Sequence, residues 1–291
     1  MFKTLSAQKT KTIRFGHSPD PDDAFMFYAI AKNKIRTHNF QIDHVVEDIE
    51  SLNQRALKGE LEATAVSVHA FAYLADKYAI MRAGASVGDK YGPIIVSKKP
   101  MRGAGIRHAV SLLRGKTVAI PGLLTTANLV LKLFMPKVTT AVIPFDQILG
   151  QVSKGKVDAG VVIHEGQLTY ADQKLHKIVD LGEGWYQETG LPLPLGIDVV
   201  RRDLGARTMK QVACVFKESI CYGLKDRKNA LRYAIQFGRG LKADLNDRFV
   251  GMYVNDYTID LGKKGERAMR LIYRKAAKAG IIPGKVDLTF V

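Results

Sequence analysis

The residues best suited to chemistry in this 291-residue chain lie at positions 157–170, V-D-A-G-V-V-I-H-E-G-Q-L-T-Y. Val161, Val162 and Ile163 form a β-branched run that predicts a short buried strand. The run stops at His164, followed by Glu165 and Gly166. A strand that delivers a His and a Glu into a Gly-containing turn places titratable groups at its C-terminal edge. In open α/β sheets that edge is where ligands bind. An imidazole titrates near neutrality, so His164 is suited to accept a proton from a bound molecule. Glu165 is its neighbour, but adjacent strand residues face opposite ways, so Glu165 is not expected to orient the ring. A lone His at a strand end can equally be a cap or a core residue. The surrounding pattern has to decide.

Two further stretches have similar edges. Residues 12–16, T-I-R-F-G, predict a strand that runs into H-S-P-D-P-D-D at 17–23. The prolines make that loop rigid and stop the strand. Ser18 and Asp20 then fall at the strand's C-terminal edge. Asp22 and Asp23 are expected to be structural residues at the start of the next helix, where the dipole favours acids. Residues 116–121, K-T-V-A-I-P, predict another strand, and Gly122 leads to a helix opening near Thr125 and Thr126. Two hydroxyls at a helix N-terminus suit a carboxylate or phosphate. One of them serving only as an N-cap is the competing reading.

An internal echo links these pieces. Residues 58–69, K-G-E-L-E-A-T-A-V-S-V-H, resemble residues 154–164, K-G-K-V-D-A-G-V-V-I-H. Each follows an amphipathic helix, stops at K-G and enters a strand. The echo suggests two similar lobes, with Val66 and Ser67 facing Val162 and Ile163 across a cleft. The predicted architecture is α/β: residues 1–98 plus 195–291 form one lobe and 99–194 the other. Crossovers are expected at 98–105, which is rich in Pro, Gly and charge, and near 191–196. From residue 204 onward the pattern is helical, at 204–222, 227–237, 243–255 and 263–279.

Composition narrows the possibilities. The chain is 46% hydrophobic and 25% charged, as ordinary globular proteins are. No apolar run approaches the length of a membrane span. The polar, Lys-rich residues 1–14 lack the apolar core of a secretory signal, so a cytoplasmic location is expected. The net charge is +16. The basic residues are scattered and not interleaved with aromatics, which argues against a dedicated nucleic-acid site and fits a small anionic ligand. Salt-dependent retention on DNA or heparin would reveal a polyanion-binding module instead. Cys214 and Cys221 lie about two turns apart on one predicted helix face, too far for an easy disulfide. They are expected to be small core residues. There is no Walker-type phosphate loop, no dinucleotide G-x-G-x-x-G, no H-E-x-x-H and no His cluster, so neither cofactor nor metal is expected.

The order of several motifs resembles the 1,4-dihydroxy-6-naphthoate synthase family of the futalosine route to menaquinone. They are G-H-S-P-D-P-D-D-A-F-M-F-Y-A (16–29), V-E-D-I-E-S-L-N (46–53), A-V-S-V-H-A-F-A-Y (65–73), I-P-G-L-L-T-T-A (120–127), I-H-E-G-Q-L-T-Y (163–170), V-D-L-G-E-G-W-Y-Q-E-T-G-L-P-L-P-L-G (179–196) and Y-V-N-D-Y-T-I-D-L-G-K-K-G-E-R-A (253–268). The resemblance implies a two-lobed, periplasmic-binding-protein-like (type II) fold with a cleft. It also implies a cofactor-independent lyase that converts cyclic dehypoxanthine futalosine to 1,4-dihydroxy-6-naphthoate and dihydroxyacetone. Carried over by motif, His164 is the proton acceptor, and the substrate-binding edges are Ala65, Val66 and Ser67 with Thr125 and Thr126. The family pattern S-P-C-P-N-D is S-P-D-P-D-D here, and a lysine often found at position 65 is Ala65. Both departures make the site less cationic. Rival readings are a non-catalytic solute-binding protein and the related chorismate dehydratase, both on this fold.

Replacing His164 with Asn or Gln keeps a polar side chain but removes the base. The expected loss is about 10²–10⁴ in kcat with ligand binding retained. Steady-state turnover with calorimetric binding of a product-like carboxylate measures both, and near-normal turnover would return His164 to a capping role.

Overall fold

A computed structural model describes residues 10–100, 105–238 and 240–291. The Lys-rich residues 1–9, and residues 101–104 of the expected crossover, lie outside the described residues. In chain order the strands are β1 Lys11–His17, β2 Phe40–Val46, β3 Ala63–Ser67, β4 Tyr78–Ile80 and β5 Ser86–Gly88. They continue as β6 Ile94–Ser97, β7 Thr117–Ile120, β8 Thr139–Val142, β9 Ala159–Val162, β10 His176–Asp180 and β11 Leu193–Arg201. One sheet has the order β2-β1-β3-β11-β4, with β5 also paired to β11; the other has the order β10-β6-β9-β7-β8. In the first sheet β1 is parallel to β2 and β3, whereas β11 runs antiparallel to its neighbours. In the second, β7 is parallel to β8 and β9, and β6 is antiparallel to β9 and β10.

This pairing corrects the expected lobe boundary at residue 98. Strand β6 bonds to β9 and β10, so the chain changes sheets between β5 and β6, at residues 89–93. The apolar run at 92–97 suits a buried strand in either sheet, and Gly92–Pro93 breaks the chain as effectively as the later Pro- and Gly-rich stretch. The chain returns to the first sheet with β11, which begins at Leu193 and pairs with β3, β4 and β5.

The internal echo corresponds to a shared local form. Helix Ile49–Lys58 and helix Ile148–Ser153 precede β3 and β9, and each of these strands has paired neighbours on both sides. Gly59 and Gly155 adopt positive φ between helix and strand, as K-G stops require. One apolar cluster draws on both sheets, including Val66 and Val199 from the first and Ile95, Val118 and Val161 from the second. A second cluster packs helix Pro21–Ala31 against helix Ala206–Lys225. Residues 21–30 of the former helix are buried throughout. Phe27 anchors it between Phe15, edge-on at 4.7 Å, and Phe216 at 4.8 Å. That packing fixes the acidic loop at the head of the helix.

The cysteines differ from expectation. Both are free and exposed. The buried stripe of their helix runs through Val212, Val215, Phe216, Ser219 and Ile220, and positions 214 and 221 fall off it. Among the described residues no helix is long and apolar enough to cross a membrane.

Gly16, just before the acidic loop, has no room for a side chain. An added Cβ would lie 2.6 Å from Thr64 Oγ1 and 2.7 Å from methyls of Leu52 and Leu61. Gly16→Ala is therefore expected to destabilise the fold by about 1–3 kcal/mol, read as a lower Tm with an unchanged denaturant m-value.

Candidate active site

Strand β9 ends at Val162, and His164 turns the chain with φ of 55°. This left-handed conformation is sparsely populated by residues other than glycine. Strand alternation therefore stops before His164, and its ring turns toward the loop after β1. His164 Nδ1 lies 2.8 Å from Asp20 Oδ2. The Asp20 side chain is 1% exposed and that of His164 16%. Asp20 occupies the N-cap position of helix Pro21–Ala31 without capping it through its side chain. With Nδ1–H donating to Asp20, the neutral ring presents Nε2 as an acceptor. Nε2 is buried and makes no hydrogen bond among the described residues. The Phe145 ring packs against the imidazole at 4.8 Å. Burial pulls the His164 pKa down, but the charge and hydrogen bond of Asp20, with the charges of Glu165 and Asp22, outweigh it and raise the pKa.

His164 lines a cavity that encloses about 750 Å³ of empty space, part of it open to solvent. That size suits a small-molecule site. Ser18, Ala65, Ser67, Thr125 and Thr126 also line it. Val66 does not: it is fully buried in the apolar core, on the opposite face of β3 from Ala65 and Ser67. Ser67 is held by Asn53, an interaction the sequence reading missed. Ser67 N–H donates to Asn53 Oδ1 at 2.9 Å, and Asn53 Nδ2 donates to Ser67 Oγ at 3.1 Å. The Ser67 hydroxyl is thereby left with its own proton to donate.

The two threonines are engaged differently from the expectation. Thr125 is the N-cap of helix Thr126–Phe134: its hydroxyl accepts from Asn128 N–H and donates to Gly122 O. The Thr126 hydroxyl donates to Leu195 O at 2.5 Å and accepts from His69 N–H. Both hydroxyls are structural, and Thr126 ties the helix to β11. What the helix offers an anion is its first N–H groups, at Thr126 and Ala127, which have no intrahelical acceptor.

The cavity wall is acidic. Asp22, Asp23 and Asp198 line it together with Asp20, and among the described residues no Lys or Arg does. Asp22 and Asp23 are thus more than helix-start residues. Asp23 Oδ2 accepts from Ser18 N–H at 2.5 Å and shapes the loop. Burial, then the Asp20 charge, push the Asp22 carboxyl up to about 7. Burial also raises Asp23 and Asp198 well above the usual carboxylate range. Asp198 was not singled out from sequence, although an acid inside the apolar strand L-P-L-G-I-D-V-V-R is a readable signal. Gln167 and Tyr253 bridge the cavity edge, with Tyr253 O–H donating to Gln167 Oε1 at 3.0 Å. Among the described residues no group of three or more His, Cys, Asp and Glu is arranged to hold a metal ion.

A sequence profile of the menaquinone biosynthesis family matches residues 13–278. The chain is 35% identical to 1,4-dihydroxy-6-naphthoate synthase of Thermus thermophilus, over 93% of this chain and 96% of that protein. The chain belongs to this menaquinone biosynthesis family. Its relative from Streptomyces coelicolor, with the same name, is 34% identical over 94% of this chain and 95% of that one. A crystal structure of an Archaeoglobus fulgidus protein matches this family member with a TM-score of 0.86 and 44% identity, covering 93% and 98% of the two chains. The alkanesulfonate-binding protein of Xanthomonas axonopodis pv. citri superposes with a TM-score of 0.69 at 16% identity, covering 96% and 97%. The fold of this menaquinone biosynthesis family member is thus periplasmic-binding-protein-like.

Two outcomes follow from the site's electrostatics. In Asp20→Asn the amide can donate to Nδ1, which moves the ring proton to Nε2 and blocks the acceptor. A fall of about 10²-fold or more in kcat is expected. The carboxylate that raises the His164 pKa is also lost, so the acid limb of the kcat/KM profile should move to lower pH. For Asp22 the folded pKa lies above its ordinary 3.8. Its preference for the protonated form stabilises the fold fully below the unfolded pKa and is lost as pH rises through about 7. The Tm advantage of Asp22→Asn over wild type should therefore grow from about pH 4 to about pH 7 and level off above that.

Proposed function

We propose that this protein is a 1,4-dihydroxy-6-naphthoate synthase acting in the cytoplasm. In this reading it is a lyase that takes cyclic dehypoxanthine futalosine to 1,4-dihydroxy-6-naphthoate and dihydroxyacetone without a cofactor. The observation that carries the reading is the buried Asp20–His164 pair, in which His164 lines the cavity and its Nε2 has no hydrogen-bond partner among the described residues. A passive solute-binding protein has no use for such a base.

The proposed roles follow from the geometry. The aryl carboxylate sits against the Thr126 and Ala127 N–H groups and the Ser67 hydroxyl, where a helix dipole favours negative charge. His164 Nε2 takes a proton from the cyclic adduct as the carbon–carbon bond to the three-carbon fragment breaks. Asp20 stabilises the imidazolium that results, as a buried carboxylate does in a hydrolase triad. Hydrogen-bond donors already in place accept the charge that develops on oxygen. The chain crossings at residues 89–93 and just before β11 serve as hinges, and closing the cleft between the sheets excludes water from the intermediate.

The test is to incubate the purified protein with cyclic dehypoxanthine futalosine and follow both products by chromatography. Release of dihydroxyacetone and the naphthoate in equal amounts is expected. Tight binding without turnover would return the protein to the solute-binding class, and consumption of chorismate instead would make it a dehydratase.

A further inference from the structure

Three buried polar atoms of the cavity wall have no use in the mechanism above. Ser18 Oγ, Asp22 Oδ1 and Asp198 Oδ1 are each shielded from solvent and make no hydrogen bond among the described residues. Their residues are 6%, 8% and 2% exposed, and all three line the cavity. Leaving buried polar atoms unsatisfied is unfavourable, so a site that keeps three together is suited to a polar partner.

All three belong to the first sheet or its loops. Asp198 stands on β11 directly across from Ala65 on β3. The Ala65 methyl neither pairs with nor covers the carboxyl. Behind it, Gly84 has φ of 94°, and a Cβ there would lie 2.3 Å from Asp198 Oδ2. That glycine is what gives the carboxyl its space. Ser18 and Asp22 come from the rigid loop and the first turn of helix Pro21–Ala31.

We propose that Ser18, Asp22 and Asp198 form a polyol-binding end of the cleft, which grips the hydroxyl-bearing three-carbon portion of the substrate. The proposal rests on the synthase reading for the identity of that substrate. The chemistry selects the ligand class. Among the described residues no Lys or Arg lines the cavity, so this end offers a carboxylate or phosphate no counter-charge. Burial raises both carboxyls, with the Asp20 charge adding at Asp22, which reaches about 7, and the Asp22 charge adding at Asp198. A protonated and an ionised carboxyl lining one cavity, with a serine hydroxyl, supply both donors and acceptors. Vicinal hydroxyls likewise donate and accept, so they match this set atom for atom. The carboxylate of the same substrate is held at the separate helix end, by N–H groups.

The experiment compares three probes by calorimetry on the intact protein: benzoate with a meta-propyl ether, with a meta-glyceryl ether and with a meta-aminopropyl ether. The glyceryl ether should bind about tenfold tighter than the propyl ether, the worth of one or two neutral hydrogen bonds. In Asp198→Leu, Asp22→Leu and the milder Ser18→Ala, that advantage should drop below about threefold, while propyl-ether affinity changes less than about twofold. Equal affinity of glyceryl and propyl ethers for wild type overturns the proposal. So does an advantage that survives all three substitutions, a preference for the aminopropyl ether, or no binding of any probe. Turnover of cyclic dehypoxanthine futalosine, measured in parallel, separates the two readings. A glyceryl preference without turnover removes the synthase assignment and leaves the polyol end. Turnover without a glyceryl preference removes the polyol end alone.

Discussion

The contact between Asp20 and His164 joins the two sheets at the point where chemistry is expected. Asp20 follows β1 and His164 follows β9, so each side chain comes from a different sheet. A carboxylate that is 1% exposed needs strong compensation, and an imidazole N–H at 2.8 Å supplies it. The same bond decides which ring nitrogen bears the proton. Its precision depends on features well outside the cavity. Helix Pro21–Ala31, wedged among Phe15 and Phe216, sets the position of Asp20. The left-handed turn at residue 164 sets the direction of the ring.

Residues whose role depends on local pattern were readable. The β-branched run ending in His164 predicted a strand edge, and a strand edge is found one residue earlier. Thr125 beside a helical pattern read as a possible N-cap, and it is one. The helical final third also followed from periodicity, with ends displaced by a few residues. Residues whose role depends on distant partners were not readable. No spacing rule joins Asp20 to His164, or Asn53 to Ser67. Val66 illustrates a subtler limit. Naming a strand edge does not say which residues of the pleat face the cleft, and a shift of one exchanges core for cavity. The misplaced lobe boundary has a similar origin, since an apolar run states that a strand is buried but not in which sheet.

Family resemblance and local physics meet unevenly at this cleft. Across most of the chain the motifs indicate one family, and the family profile agrees. The acidic positions 20 and 22, with alanine at 65, depart from the pattern where they border the cavity. Those departures are physically coherent with one another. Asp20 gains His164 as a partner, and Asp22 sits close enough to raise the same imidazole's pKa. Small Ala65 leaves Asp198 open to the cavity. The site is a consistent set rather than a degraded copy.

Among the described residues no Lys or Arg lines the cavity, in contrast with the net charge of +16. An anion approaching the protein is drawn in by the positive exterior until within a Debye length, about 8–10 Å at ordinary salt. Inside, the aspartate wall holds protons and offers an anion no counter-charge, while the helix opening at Thr126 presents N–H groups. An elongated molecule with one charged end and one neutral end experiences this as a torque. Its charged end is arrested at the helix and its neutral end swings onward toward the aspartates. The charge layout therefore acts as a compass for entry, sorting productive from reversed orientations before any close contact forms.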